Sequence, residues 1–139
     1  MRDNRQPMQL QDIHHRLAAL GAGPLHVQRV LRTWVNALPV DSGKRQPQHH
    51  FPKALMAALP DVVGELQGLA TIRSEHPGED GSARLLVALA DGQTVESVRL
   101  PRGGLCVSTQ IGCAVGCTFC MTGTGGLIRQ LGSAEIVAQ

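Results

Sequence analysis

Aromatic side chains are the scarcest class in this 139-residue sequence, which has one tryptophan, two phenylalanines and no tyrosine. A surface that binds nucleic acid mainly by stacking bases on aromatic rings is therefore excluded. The formal net charge is only +2, but residues 1–76 carry nine Lys and Arg against six Asp and Glu. Any contact with nucleic acid is expected to depend on charge and shape.

Long apolar runs are also absent. No stretch approaches the about 20 residues of a membrane span, and no charged and then apolar leader opens the chain. We therefore expect a cytoplasmic protein. The hydrophobic fraction of 42% is normal for a globular chain, and 139 residues suffice for one modest core or two small subdomains.

Apolar residues recur every three or four positions in the first half, which predicts short amphipathic helices. The first is expected to end at Gly21 and the second at Pro39, with a Gly/Pro turn between them that makes a helical hairpin. A third helix is expected to open at Phe51, and Pro60 to begin a short fourth one. These elements predict a helical domain over residues 1–67.

Beyond residue 67 the pattern changes to strands. Segments 83–89 and 94–100 are expected to pair around a hairpin turn at Asp91-Gly92, within a β extension over residues 68–102. Alternation puts Glu96 on one face with Val98 and Leu100. A carboxylate on an apolar face is costly, so we expect Glu96 to be paired or functional unless its strand lies at an edge.

Three of the four cysteines follow one further predicted strand, Leu105–Ile111. They are Cys113, Cys117 and Cys120, with the spacing CxxxCxxC. Three thiolates can hold three irons of a 4Fe-4S cluster and leave the fourth iron open. An open iron can chelate S-adenosylmethionine, and an electron from the cluster can cleave it to a 5′-deoxyadenosyl radical. The spacing therefore favours a radical-SAM site.

Two other uses of these cysteines were weighed. A zinc site of three cysteines and one histidine needs a histidine near the loop, but all six histidines lie at or before His76. Disulfides usually join dispersed cysteines in an oxidising compartment, whereas these three lie within eight residues. Both alternatives are less favoured than the cluster. Gly123 and the glycines after it do not complete GxGxxG, so a dinucleotide site is not predicted.

Three motifs together resemble the RlmN/Cfr family of radical-SAM RNA adenine methyltransferases. They are Cys106–Cys113 (CVSTQIGC), the loop ending in FCMTG, and residues 132–139 (GSAEIVAQ). The resemblance implies an α+β chain in three parts. A helix-hairpin-helix-like domain at 1–67 contacts RNA, an antiparallel β extension follows at 68–102, and residues 103–139 begin an incomplete radical-SAM (β/α)6 partial barrel.

The resemblance also implies the reaction, which is methylation of carbon 2 of an adenine in 23S rRNA and often also in tRNA. Carried over by position, Cys113, Cys117 and Cys120 bind the 4Fe-4S cluster, and S-adenosylmethionine is the second cofactor. Glu96 matches the proton-accepting glutamate, and Cys106 the cysteine that resolves the covalent protein–RNA intermediate. The spacer from Glu96 to Cys106 is about three residues shorter than the family pattern, which affects the placement of Glu96.

The family carries its methyl-accepting cysteine near its C-terminus, and the sequence has no counterpart to it. We therefore expect the N-terminal part of such an enzyme, inactive alone, monomeric, and served by a reducing partner such as flavodoxin. Two alternatives stay open. One is a non-catalytic RNA-binding or interaction module, and the other is a radical-SAM enzyme with another substrate.

Overall fold

A computed structural model describes residues 6–39 and 50–139 of the chain. The helices are α1 (Leu10–Ala19), α2 (Pro24–Val35), α3 (Lys53–Gln67) and α4 (Ser133–Ala138). The strands are β1 (Ala70–Pro77), β2 (Ala83–Leu89), β3 (Thr94–Arg99), β4 (Leu105–Cys106), β5 (Gln110–Gly112) and β6 (Leu127–Gln130). Helices followed by antiparallel strands confirm the predicted α+β class at this level. None of the described helices could span a membrane.

The first three helices pack around one apolar core. Leu17, Val30 and Leu55 come from α1, α2 and α3, and each is fully buried. The indole nitrogen of Trp34 donates a hydrogen bond to the carbonyl of Leu66 at 3.2 Å. The same carbonyl, in the last turn of α3, also accepts the amide of Leu69 at 3.3 Å, and the bond from Trp34 ties α2 to α3.

Pro60 does not start a separate helix, so that prediction was wrong. It lies inside α3, which runs without a break from Lys53 to Gln67. Proline removes one helical hydrogen bond and normally favours a break. Here Leu55 on one side of Pro60 and Val62 on the other are both buried in the same core. Burial of one continuous apolar face outweighs the lost bond.

Strands β1 to β4 form one antiparallel sheet in chain order. The predicted hairpin between β2 and β3 is confirmed, with Gly92 at a φ of +85° and the amide of Leu89 donating to the carbonyl of Gln93 at 2.8 Å. Alternate residues of β2, such as Leu85 and Val87, are buried. The sheet therefore has an inner face in the core and an outer face that is largely exposed.

The predicted strand over Leu105–Ile111 is interrupted. Its first part, β4, pairs with β3 in the large sheet, whereas β5 pairs antiparallel with β6 in a separate two-stranded sheet. Between them, the main chain of Ser108 bonds to the side chain of Gln139 instead of to a strand. Periodicity cannot detect such a break, because the competing partner lies 31 residues away.

Helix α4 contacts both apolar cores. Ala134 is fully buried among the residues of the first three helices, whereas Ile136 packs against the core of the sheet. Gly132 is the N-cap of α4, and Ser133 is its first helical residue. The carboxylate of Glu135 accepts the amide of Gly132 at 2.7 Å, which leaves the Ser133 hydroxyl free to accept the amide of Leu10 at 2.8 Å.

Candidate functional site

The three motif cysteines lie on one loop, residues 113–126, between β5 and β6. None of the three forms a disulfide; Cys113 and Cys120 are half-buried and Cys117 is exposed. The amide of Cys120 donates to the carbonyl of Cys117 at 3.2 Å, and the amide of Val115 approaches the sulfur of Cys113 at 3.5 Å. These local turns keep the three cysteines within one short loop.

Gly112 closes the base of this loop. Its φ is +73°, and a Cβ built on it would lie 1.9 Å from the carbonyl oxygen of Gly126. The same carbonyl accepts the amide of Cys113 at 3.2 Å. Because a side chain at position 112 would collide with backbone, only glycine allows β5 and β6 to approach at this point.

The cysteine loop has the donor chemistry of an iron–sulfur site. Three cysteines within eight residues, none of them in a disulfide, match a cluster with one open iron. Within residues 6–39 and 50–139, however, no three His, Cys, Asp or Glu side chains form a closed metal-binding group. Phe119 and Met121 on the loop are 90% and 85% exposed. The assignment of Cys113, Cys117 and Cys120 as cluster ligands therefore stays a prediction.

Glu96 and Cys106 lie on the same, outer face of the large sheet. Cys106 is paired directly with Val98 of β3, and Glu96 is two residues from Val98 on that strand. Such diagonal neighbours on one face are about 7–8 Å apart. Cys106 is exposed. The two residues that the resemblance made catalytic are thus neighbours in the fold.

The face of β3 that carries Glu96 is the exposed one, so the expected cost of a carboxylate on an apolar face does not arise. Val95 and Ser97 are the buried pair, at 6% and 1% exposure, because they lie opposite Val87 and Leu85 of β2. Glu96 is on the other face, with a side chain that is 58% exposed and 3.8 Å from the guanidinium of Arg84. An exposed carboxylate carries little desolvation cost, so burial gives no argument for a role of Glu96.

A groove of about 400 Å³ separates this outer face from the β5–β6 pair. Its lining includes Leu86, Glu96, Ser108, Gly126 and Ile128, and also Met121 from the cysteine loop. The groove thus brings Glu96 next to the flank of that loop. Cys106 is on the same sheet face but does not line the groove.

A larger groove of about 950 Å³ lies between α1 and α2. It is lined mainly by apolar residues, with His14, His15 and Arg32 among its polar ones. None of the five predicted site residues lines it. The smaller groove is therefore the better candidate site, because Glu96, one of those five residues, lines it together with Met121 of the cysteine loop.

The sequence analysis missed Gln139 as a residue that shapes the site. Its side-chain oxygen accepts the amide of Ser108 at 3.0 Å and the buried hydroxyl of Ser97 at 2.9 Å. Its side-chain nitrogen donates to the carbonyl of Ser108 at 2.7 Å, and the Ser108 hydroxyl donates to the carbonyl of Glu96 at 2.5 Å. Gln139 thereby fixes the link between Cys106 and the cysteine loop.

Arg129 of β6 joins three elements. Its guanidinium lies 2.8 Å from Asp91 in the β2–β3 turn and 2.7 Å from Glu135 in α4, whose side chain is only 7% exposed. The hydrogen bond to Glu135, together with Asp91, raises the pKa of Arg129 above its usual value. This ion network holds the strand after the cysteine loop against the large sheet. No sequence signal linked these distant charges.

Comparison with known proteins gives homologues along nearly the whole chain, although no protein-family model matches it. The chain is 63% identical over 132 residues to a probable RNA methyltransferase from Leptothrix cholodnii, and 65% identical to one from an Azoarcus species. Both alignments cover 95% of this chain but 38% of the relative. The chain thus spans about 38% of the length of these relatives.

A solved structure agrees with this relationship. The crystal structure of a radical SAM methyltransferase from Sphaerobacter thermophilus is 34% identical and has a TM-score of 0.64. The similarity covers 95% of this chain and 40% of that protein. The sequence resemblance to radical-SAM RNA methyltransferases is therefore confirmed.

Proposed function

We propose that this chain, a homologue of those probable RNA methyltransferases, is the N-terminal part of a radical-SAM enzyme that methylates carbon 2 of an adenine. The proposed substrate is 23S rRNA, with tRNA as a second one. Turnover is assigned to a protein of the relatives' length, and the 139-residue chain alone is expected to be inactive. The proposed setting is a monomer in the cytoplasm that takes electrons from a flavodoxin-like partner.

One observation carries the assignment of the site. Glu96 and Cys106 share the outer face of the sheet, and the groove beside Glu96 has the flank of the cysteine loop as its other wall. An adenine in this groove would have the carboxylate of Glu96 on one side and the flank of the loop on the other, with Cys106 outside the groove on the same sheet face as Glu96. Supporting evidence is the identity of 63–65% to proteins that are named probable RNA methyltransferases.

In this proposal, Cys113, Cys117 and Cys120 hold a 4Fe-4S cluster. With S-adenosylmethionine bound, that cluster supplies radical chemistry. Glu96 accepts a proton from the adenine, and its exposed side chain in the lining of the groove is accessible to a base there. Cys106 helps to resolve the covalent protein–RNA intermediate, and its exposure makes its sulfur accessible to that intermediate.

In this proposal the chain has three parts, and the first, a helical domain at residues 1–67, contacts the RNA backbone. Residues 68–102 and 103–139 are the proposed β extension and the beginning of a radical-SAM partial barrel. In the helical part, Arg32 is exposed, whereas the guanidinium of Arg29 lies 5.2 Å from the ring centre of Phe51. Arg32 is therefore the better candidate for a phosphate contact.

The test compares four cysteine variants in a protein of the relatives' length that contains this sequence. Cys113→Ala, Cys117→Ala and Cys120→Ala should each abolish release of 5′-deoxyadenosine from S-adenosylmethionine. Cys106→Ala should retain that release but accumulate protein covalently attached to RNA on a denaturing gel. Cleavage by all three motif variants would refute the cluster assignment, and normal turnover of Cys106→Ala would refute the role of Cys106.

A further inference from the structure

Arg84 is an exposed cation on the outer face of the sheet, and the proposed reaction gives it no role. It is paired with Val98, which is paired in turn with Cys106, so these three residues form one row across the strands. Its guanidinium lies 3.8 Å from Glu96, which lines the groove. Arg84 therefore stands at the edge of the candidate site, beside both proposed catalytic residues.

The ion pair between Arg84 and Glu96 is too weak to account for this arginine. The two side chains are 59% and 58% exposed, and 3.8 Å is a long contact. Exposed pairs of this kind contribute little to stability, and solvent screens them. Arg84 can therefore exchange Glu96 for a stronger anionic partner at little cost.

The groove itself suits a flat, polar-edged ring with a charged group outside it. Leu86 and Ile128 offer apolar surface, whereas Thr94, Ser108 and Gln110 offer hydrogen-bonding groups. The carboxylate of Glu96 lines this groove, so it would repel an RNA phosphate that lay beside the groove. A guanidinium beside that carboxylate offsets the repulsion and can bind phosphate oxygens in bidentate fashion.

We propose that Arg84 binds an RNA phosphate next to the nucleotide whose base occupies the groove at Glu96. The proposal rests on the proposed function, because it takes RNA as the substrate. It adds a binding residue on the sheet to the phosphate contacts that were assigned to the helical domain. Arg84 positions the substrate and takes no part in bond making.

The chain offers a closely matched control for this arginine. Arg99 of β3 is 56% exposed and forms an ion pair with Glu75 of β1 across the intervening strand β2, but alternation puts it on the opposite face of the sheet from Arg84. Arg84→Met and Arg99→Met therefore remove the same charge, and each breaks one exposed ion pair. They differ in which face of the sheet loses its cation.

The experiment measures binding of the 139-residue chain to a synthetic RNA stem-loop with an unpaired adenosine, by fluorescence anisotropy at several salt concentrations. Arg84→Met should weaken RNA binding at low salt about three- to tenfold. It should also reduce the slope of log affinity against log salt concentration by the equivalent of about one phosphate contact. Arg99→Met should change affinity less than about twofold. Arg84→Lys should preserve the slope, because it keeps the charge.

Equal losses for Arg84→Met and Arg99→Met would overturn the proposal, since charge alone would then explain binding. Unchanged binding by Arg84→Met would overturn it too. Either result would leave the proposed function standing, because that is tested by cleavage of S-adenosylmethionine in the cysteine variants. Absence of RNA binding by the unaltered chain would overturn both this proposal and the proposed RNA contact of the helical domain.

Discussion

The side-chain amide of Gln139 holds both main-chain groups of Ser108, since it donates to the carbonyl at 2.7 Å and accepts from the amide at 3.0 Å. A strand partner would satisfy the same two groups. The side chain of Gln139 therefore takes the place of a strand partner for Ser108, which lies between β4 and β5 in the chain. The consequence is a fixed joint between Cys106 on the large sheet and the cysteine loop beyond β5.

Replacing Gln139 by leucine should release this joint. The amide and carbonyl of Ser108 and the buried hydroxyl of Ser97 would lose their partner, which should lower the free energy of unfolding by about 1–3 kcal/mol. Urea unfolding measures that change, and hydrogen exchange of the Ser108 amide should accelerate. Gln130→Leu is the control, because that exposed side chain makes only a 3.4 Å contact to Gln110. Equal effects of the two variants would refute the role of Gln139.

Replacing Arg129 by methionine should destabilise the fold through the glutamate that it leaves behind. Glu135 is buried, and without the guanidinium its charge would be only partly compensated by the amide of Gly132. We expect a loss of about 1–3 kcal/mol in the free energy of unfolding. Arg99→Met, which breaks an exposed pair, should cost less than about 1 kcal/mol. If both variants unfold at the same urea concentration, Arg129 is only a surface residue.

Three glycines of the cysteine-loop region should respond in graded fashion to substitution by alanine. Gly125 has open space and no positive φ, Gly116 has open space with a φ of +69°, and Gly112 combines a φ of +73° with a backbone clash. Gly125→Ala should be nearly neutral, Gly116→Ala should cost about 1 kcal/mol, and Gly112→Ala should cost more than about 2 kcal/mol. Thermal unfolding measures the order, and a neutral Gly112→Ala would contradict the close approach to Gly126.

Local patterns in the sequence determined much of the fold. Apolar spacing located the helices, because a helix that packs on one side must repeat its buried residues every three or four positions. Asp91-Gly92 located the β2–β3 turn, since glycine accepts the positive φ that this turn requires. The cysteine spacing and its flanking motifs predicted the radical-SAM methyltransferase relationship. Each of these signals lies within a few residues of its own structural effect.

Tertiary structure decided the rest. Whether Glu96 or Ser97 faces the core depended on pairing with Leu85 and Val87, because both faces of β3 carry mixed residues. The unbroken α3 depended on the core that Pro60 spans. The joint at Ser108 and the ion network of Arg129 depend on partners 31 and 38 positions away. Spacing within one segment cannot encode such contacts, since they exist only once the folded chain brings those partners together.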